Sequence, residues 1–248
     1  MKHIKYPFGM NPTESQIESA TGNLVKVYFK VPETTCSHRN ECCKAGCPNM
    51  YFCEFLAIRR KFVDRWPKDK RLELTLGCLR YYVMGEGDRP CLFLGEDKMC
   101  SIYAWRHLKC RLYGLIPQKL YHWIVESVAQ ESGVKKEQLP LCSQCDQVRI
   151  RPECVDGPCE EKFPDGKIPE DSIRKMEGDL RDVDLSLGMP PAMQARGFGF
   201  LTYHDWHLLC ELGPAWLEKL SEKRKNCDKE AKEQFLLELK TSLMAASK

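Results

Sequence analysis

Residues 36–53 read CSHRNECCKAGCPNMYFC and place five cysteines in eighteen positions, two of them adjacent. Buried structural cysteines behave as small hydrophobes and arrive singly among Leu, Ile and Val. A polar, turn-rich run of thiols therefore needs another account, either disulfide pairing or metal. The chain carries 15 cysteines, an odd number, so complete pairing within one chain is impossible. Its start, MKHIKYPFGMNPTESQ, holds basic residues but no continuous apolar region, and no secretory signal is expected. No run approaches the roughly 18 uninterrupted apolar residues of a membrane span. The expected compartment is the reducing cytoplasm, where disulfides are rare and clustered thiolates serve metals.

Composition bounds the partners. The chain has 248 residues, 43% apolar and 29% charged, as in an ordinary globular protein of one large or two small domains. Its 38 basic and 35 acidic residues leave a net charge of +3. That balance makes no electrostatic case for nucleic acid, and neither nucleic acid nor membrane is expected as a partner.

Thirteen cysteines lie between Cys36 and Cys159, and only Cys210 and Cys227 follow. This uneven spread suggests an N-terminal segment over 1–35, a cysteine-rich metal-binding domain over 36–160 and a helical region over 161–248. In NLVKVYFKVP (23–32), Val25, Val27, Phe29 and Val31 alternate, which predicts a short strand ended by Pro32. Phe55, Ile58, Phe62 and Trp66 predict a helix over 54–66 stopped by Pro67, and a second helix is expected over 117–133. Residues 71–85 alternate first and read as helix later. Ile173, Met176, Leu180, Val183 and Leu187 follow helical spacing, with Gly188 and Pro190 as stops. Cys78 and Cys210 read as core packing, and Cys227 as a surface or loop residue. His204 and His207 flank Asp205, which reads as a helix-start cluster with Asp205 near the N-cap rather than a metal or acid–base set. The fold class is mainly α with irregular metal-bound loops and little β, a small Cys-rich domain preceding a helical C-terminal region.

The thiols form three groups: Cys36, Cys42, Cys43, Cys47 and Cys53; then Cys91, Cys100 and Cys110; then Cys142, Cys145, Cys154 and Cys159. Short spacings let successive sulfurs converge on one centre while separate segments supply further ligands. Gly46, Pro48, Pro90, Gly95, Pro152, Gly157 and Pro158 supply the turns. An all-thiolate set suits four-cysteine zinc or an iron–sulfur cluster. Iron–sulfur, as [4Fe-4S], is favoured for the first two groups, and the third suits either metal.

The segment PCLFLGEDKMCSIYAWRHLKCRLYG is very similar to the P-C-x-F-L…C-x-I-Y-x-x-R-P-x-x-C-R block of the YkgJ-type cysteine-cluster proteins, described as a zinc- or iron-chelating CxxCxxCC domain. The resemblance implies that Cys91, Cys100 and Cys110 are ligands, with Tyr103, Arg106 and Arg111 beside them. His107 stands where the family usually has proline. The opening block fits as Cys36-x2-Arg39-x2-Cys42-Cys43, but Arg39 replaces the second cysteine, so Cys47 or Cys53 is expected to supply the missing thiolate. The similarity covers about residues 36–111. Arg106 and Arg111 are expected to donate charge-assisted hydrogen bonds to sulfur, and Arg39 marks the place for an iron without a cysteine ligand. Most members have no assigned reaction. One branch resembles flagellin lysine N-methylases, described as using S-adenosylmethionine, yet no Gly-rich strand-to-helix loop and no CxxxCxxC signature stands in this chain.

Three functions follow as expectations: an iron–sulfur protein with a redox or protein partner, in electron transfer or cluster-assisted chemistry; a zinc-stabilised interaction module; or a metal chaperone. No catalytic residue is assigned.

Overall fold

A computed structural model describes residues 6–32, 43, 47–84, 91–117, 119–120, 122–123, 126, 130, 166–195 and 201–245. Thr13 and Gln16 begin the first helix by capping each other. The Gln16 N–H donates to Thr13 Oγ1 at 3.2 Å, and the Thr13 N–H donates to Gln16 Oε1 at 2.8 Å. Helix α1, Glu14–Tyr28, follows. The strand expected over 23–32 is therefore corrected to helix as far as Tyr28. Ile17, Ala20, Leu24, Val27 and Tyr28 recur at helical spacing and form the buried set, whereas Phe29 is 85% exposed. The alternation of Val25, Val27 and Phe29 was local; the capping signal lay ten residues upstream of that window.

The remaining helices are α2 (Phe52–Lys61), α3 (Lys68–Met84), α4 (Leu108–Leu112), α5 (Glu170–Ser186), α6 (Pro191–Ala195), α7 (Tyr203–Leu212), α8 (Pro214–Asn226) and α9 (Lys229–Ala245). Residues 71–85, mixed in pattern, lie almost wholly in α3, with Leu74, Thr75, Cys78, Leu79 and Val83 turned inward. Of the helix expected over 117–133, the described positions 119, 120, 122, 123, 126 and 130 are helical, whereas Pro117 is not. Extended pairing among the described residues is confined to two isolated bridges, Asn49 with Thr202 and Leu94 with Cys100. The chain is mainly α. No described helix is long and apolar enough to cross a membrane.

The described residues fall in two compact units, one drawn from 1–21, 47–89 and 184–248, the other from 22–46 and 90–183. In the first, α3 packs against α7, α8 and α9. Trp206, Tyr203, Phe52 and Phe55 are fully buried, with ring centroids 5.0 Å apart for Phe52–Trp206 and 5.1 Å for Phe55–Tyr203. The indole N–H of Trp206 donates to the Met50 carbonyl at 3.1 Å. Thr202 and Asp205 cap α7 reciprocally, as the helix-start reading expects of Asp205. Gly213, at φ +88°, and Pro214 separate α7 from α8. Arg80 on α3 forks onto Glu233 on α9 at 2.7 and 2.5 Å. Cys78 and Cys210 are buried at 0% and 3% exposure, in keeping with core packing, and Cys227 lies partly exposed between α8 and α9.

His204 and His207 are core residues too, each 1% exposed. Tyr81 stacks on the His204 ring at 3.9 Å, and His207 Nε2 lies 2.9 Å from Thr75 Oγ1. Burial pushes their pKa values down to about 4 and about 3, helped at His207 by the nearby Arg59 charge.

In the second unit, Leu24, Val27, Phe93, Ile102, Leu108, Leu112, Ile168, Ile173, Met176 and Leu180 are buried. The Ile168 N–H donates to the Leu115 carbonyl at 2.8 Å, and Lys30 pairs with Asp179 at 2.5 Å.

Two predictions follow from this packing. Trp206→Ala lowers stability by about 3–5 kcal/mol through the cavity, while Trp206→Phe costs roughly 1–2 kcal/mol by orphaning the Met50 carbonyl; chemical denaturation measures both. The depressed imidazoles give stability that is full above the unfolded pKa of about 6.5 and is lost on acidification, by about 1.4 kcal/mol per pH unit for each histidine. His207→Gln therefore flattens the fall in unfolding midpoint between pH 6.5 and pH 4.5, about one histidine's worth.

Candidate metal centre

The segment from Cys91 to Cys100 folds back on itself through its own backbone. The Leu94 N–H donates to the Cys91 carbonyl at 2.9 Å, the Gly95 N–H to the Met99 carbonyl at 2.8 Å, and the Ser101 N–H to the Phe93 carbonyl at 2.8 Å. Leu94 and Cys100 face each other across the bridge. Asp97 closes the tip by accepting the Met99 N–H at 2.9 Å. A Cβ at Gly95 would sit 2.6 Å from Asp97 Oδ1 and 3.3 Å from the Met99 carbonyl oxygen, so a side chain there displaces the Asp97 carboxylate. Two cysteines with eight residues between them are thus brought to the two ends of one loop.

Cys43 joins them from a separate segment. Its carbonyl accepts the Cys91 N–H at 2.6 Å, and its side chain is hydrogen-bonded to that of Cys100. This contact, more than any other, pulls the Cys100 thiol down to about 7; burial opposes it, and the Ile102 backbone and the Arg106 charge assist. Cys43 and Cys91 are buried at 7% and 8% exposure, and Cys100 is partly exposed. Cys110, on α4, lies with its Sγ 3.2 Å from His107 Nε2. His107 is 2% exposed, and burial beside Lys109 and Arg111 pushes it down to about 3, so its ring is neutral. That His–Cys contact was missed in sequence, although the i, i+3 spacing was its signal.

Arg106 stacks on Tyr103 at 4.2 Å and acts on Cys100 through its charge. Arg111 braces the backbone, donating to the carbonyls of Arg106 at 2.8 Å and Ala104 at 2.6 Å, and lies 4.1 Å over the Tyr28 ring.

Cys47 and Cys53 belong to the first unit and are buried. Cys53 opens α2, and Asp184 accepts the N–H groups of Phe52 at 3.1 Å and Cys53 at 2.7 Å. Burial, with Asp184 and Glu54 beside it, pushes the Cys53 thiol well up, which favours the protonated form over the thiolate a metal needs. Asp184 itself is pushed up to about 7 by burial, against the two N–H groups it accepts. Cys36, Cys42, Cys142, Cys145, Cys154, Cys159 and Arg39 lie outside the described residues.

Among the described residues, no three Cys, His, Asp or Glu side chains gather as a metal-holding group. What the described residues show instead is the Cys43–Cys100 pair, Cys91 bonded to Cys43 through the backbone, and a separate Cys110–His107 contact. No family model matches the chain, and neither a curated protein nor a solved structure is similar to it.

Gly95→Ala displaces Asp97 and loosens this loop by about 1–2 kcal/mol, so alkylation of the buried Cys91 by iodoacetamide becomes about five- to thirtyfold faster. An unchanged rate would show that the Gly95 approach is not what holds the loop closed.

Proposed function

We propose that this chain is a thiolate metal-binding protein of the cytoplasm that holds one or more iron–sulfur clusters and works with a redox or protein partner, in electron transfer or cluster-assisted chemistry. The observation that supports the reading is the backbone bond by which the Cys43 carbonyl, on a separate segment, takes the Cys91 N–H, with the Cys43 side chain as the main influence on the Cys100 thiol. Their donor chemistry fits the thiolate side of a cluster, and a depressed thiol such as Cys100 is the form that ligates. Cys43, Cys91 and Cys100 hold the group in this reading, and the cysteines at 36, 42, 142, 145, 154 and 159 supply further ligands. Arg106 stabilises the anionic sulfur, Arg111 fixes the loop behind it, and Arg39 marks an iron without a cysteine. The bound group supplies one-electron chemistry or Lewis acidity. The resemblance of residues 91–111 to the YkgJ-type block supports Cys91 and Cys100 as ligands and adds Cys110.

Zinc is the second reading, favoured by one observation: neutral His107 beside Cys110 offers a nitrogen–sulfur pair of the kind zinc accepts. On that reading the metal is a staple whose removal unfolds the loops, and the function is partner binding.

Iron, zinc and acid-labile sulfide per chain, measured on protein purified without oxygen, decide between them. About four or eight irons with matching sulfide and a brown colour are expected for clusters. Zinc without sulfide would sink the redox reading. Cys43→Ser, Cys91→Ser and Cys100→Ser each lower metal occupancy, whereas Cys227→Ser leaves it unchanged.

A further inference from the structure

Two buried polar atoms where α2 packs on α7 are left with opposite needs. The Thr75 hydroxyl donates to the Arg71 carbonyl at 3.0 Å, so its one hydrogen is used. His207 Nε2, 2.9 Å from the same oxygen, must therefore bring the hydrogen of that contact. A neutral imidazole carries one ring hydrogen, which leaves Nδ1 as a bare acceptor. His207 is 1% exposed, and that Nδ1 has no hydrogen-bond partner among the described residues. Arg59 on α2 is the converse, a donor at 6% exposure. Its Nε donates to Asp64 at 3.2 Å and its Nη2 to Glu211 at 2.5 Å, while Nη1 has no hydrogen-bond partner among the described residues.

The helices bring the two together. Phe55 and Arg59 lie one turn apart on α2, and Tyr203, His207 and Glu211 lie at successive turns of α7. Phe55 packs on Tyr203 at 5.1 Å and Arg59 bonds Glu211, so the His207 turn is bracketed by contacts to one face of α2. The His207 ring lies nearly parallel to the Tyr203 ring, 6.0 Å away. The Arg59 charge is felt at His207, where it helps to lower the pKa.

We propose that the α2–α7 packing holds one internal water, which accepts from Arg59 Nη1 and donates to His207 Nδ1. Chemistry selects the occupant. An anion would face the Nδ1 lone pair, beside a guanidinium whose charge two carboxylates already meet. A cation would face that guanidinium. A neutral molecule that accepts on one side and donates on the other fits both atoms, and between close-packed helices the one small enough is water. Left unmet, each atom carries the full penalty of its lost hydration, and one water relieves both. The result is a chain from Glu211 through Arg59, the water, His207 and Thr75 to the Arg71 carbonyl, which ties α2 and α7 to α3. The site uses no cysteine and is independent of the metal-binding reading.

The test uses the full chain. Long-range proton–nitrogen NMR at neutral pH reads which ring nitrogen of His207 carries the hydrogen, with His207→Gln assigning the signals by their loss. The Nε2–H form is expected. The Nδ1–H form overturns the site, because Nδ1 would then be a donor facing a donor. Magnetic relaxation dispersion of the solvent counts long-lived internal waters, and His207→Phe is expected to lower the wild-type count by one. An unchanged count overturns the water. A high-resolution crystal structure of the wild-type chain needs no variant to fold, and a water within hydrogen-bonding distance of both atoms is expected there. Direct contact between Arg59 Nη1 and His207 Nδ1, or a water bonded to one atom only, overturns the bridge.

Discussion

Trp206 can be buried in this protein because its indole N–H finds the Met50 carbonyl, and much of the first unit is arranged around that bond. Helix α7 hides seven side chains, two of them histidines, and their polar atoms are met only in part: Thr75 reaches His207 Nε2, whereas Nδ1 of His204 and of His207 has no hydrogen-bond partner among the described residues. Met50 is itself strapped to Leu201, and Asp205 and Thr202 cap the helix start. The aromatic rings of Phe52, Phe55 and Tyr203 then close around the indole. Removing the bond would leave a buried carbonyl with no water to replace its donor, which is why the contact is more constraining than its net energy implies.

The same burial sorts the thiols. Cys53, Cys78 and Cys210 lie in the helical unit, where desolvation pushes each thiol up, and at Cys53 two carboxylates add to it. Cys100 alone among the shifted thiols moves the other way, because a second sulfur and an arginine stand beside it. Among the described residues the shifted thiols therefore have two environments, an apolar one in the helices and one beside another sulfur and an arginine in the loop at 91–100. Asp184 serves the first role: it satisfies the N-terminal donors of α2 across a long stretch of chain, at the price of a carboxyl pushed up to about 7.

The loop at 91–100 shows how little sequence is needed to aim two sulfurs. Backbone bonds between Leu94 and Cys91 and between Gly95 and Met99, together with the Asp97 side chain packed close over Gly95, fix its shape. One further backbone bond, from the Cys91 N–H to the Cys43 carbonyl, ties the loop to a separate segment.

Several features were legible in the sequence for local reasons. The 3-4 spacing of Ile173 to Leu187 marked α5, the Gly213–Pro214 break marked the end of α7, and Asp205 marked its start, since each depends on neighbours within one or two turns. The strand expected at 23–32 failed because period-two alternation over ten residues was weighed without the Thr13–Gln16 cap that starts the helix. Nothing local could reveal that Asp184 caps α2, that His207 meets Thr75, or that Cys43 touches Cys100. Those contacts join residues distant along the chain, and only burial, which demands a partner for each hidden polar group, decides which ones meet.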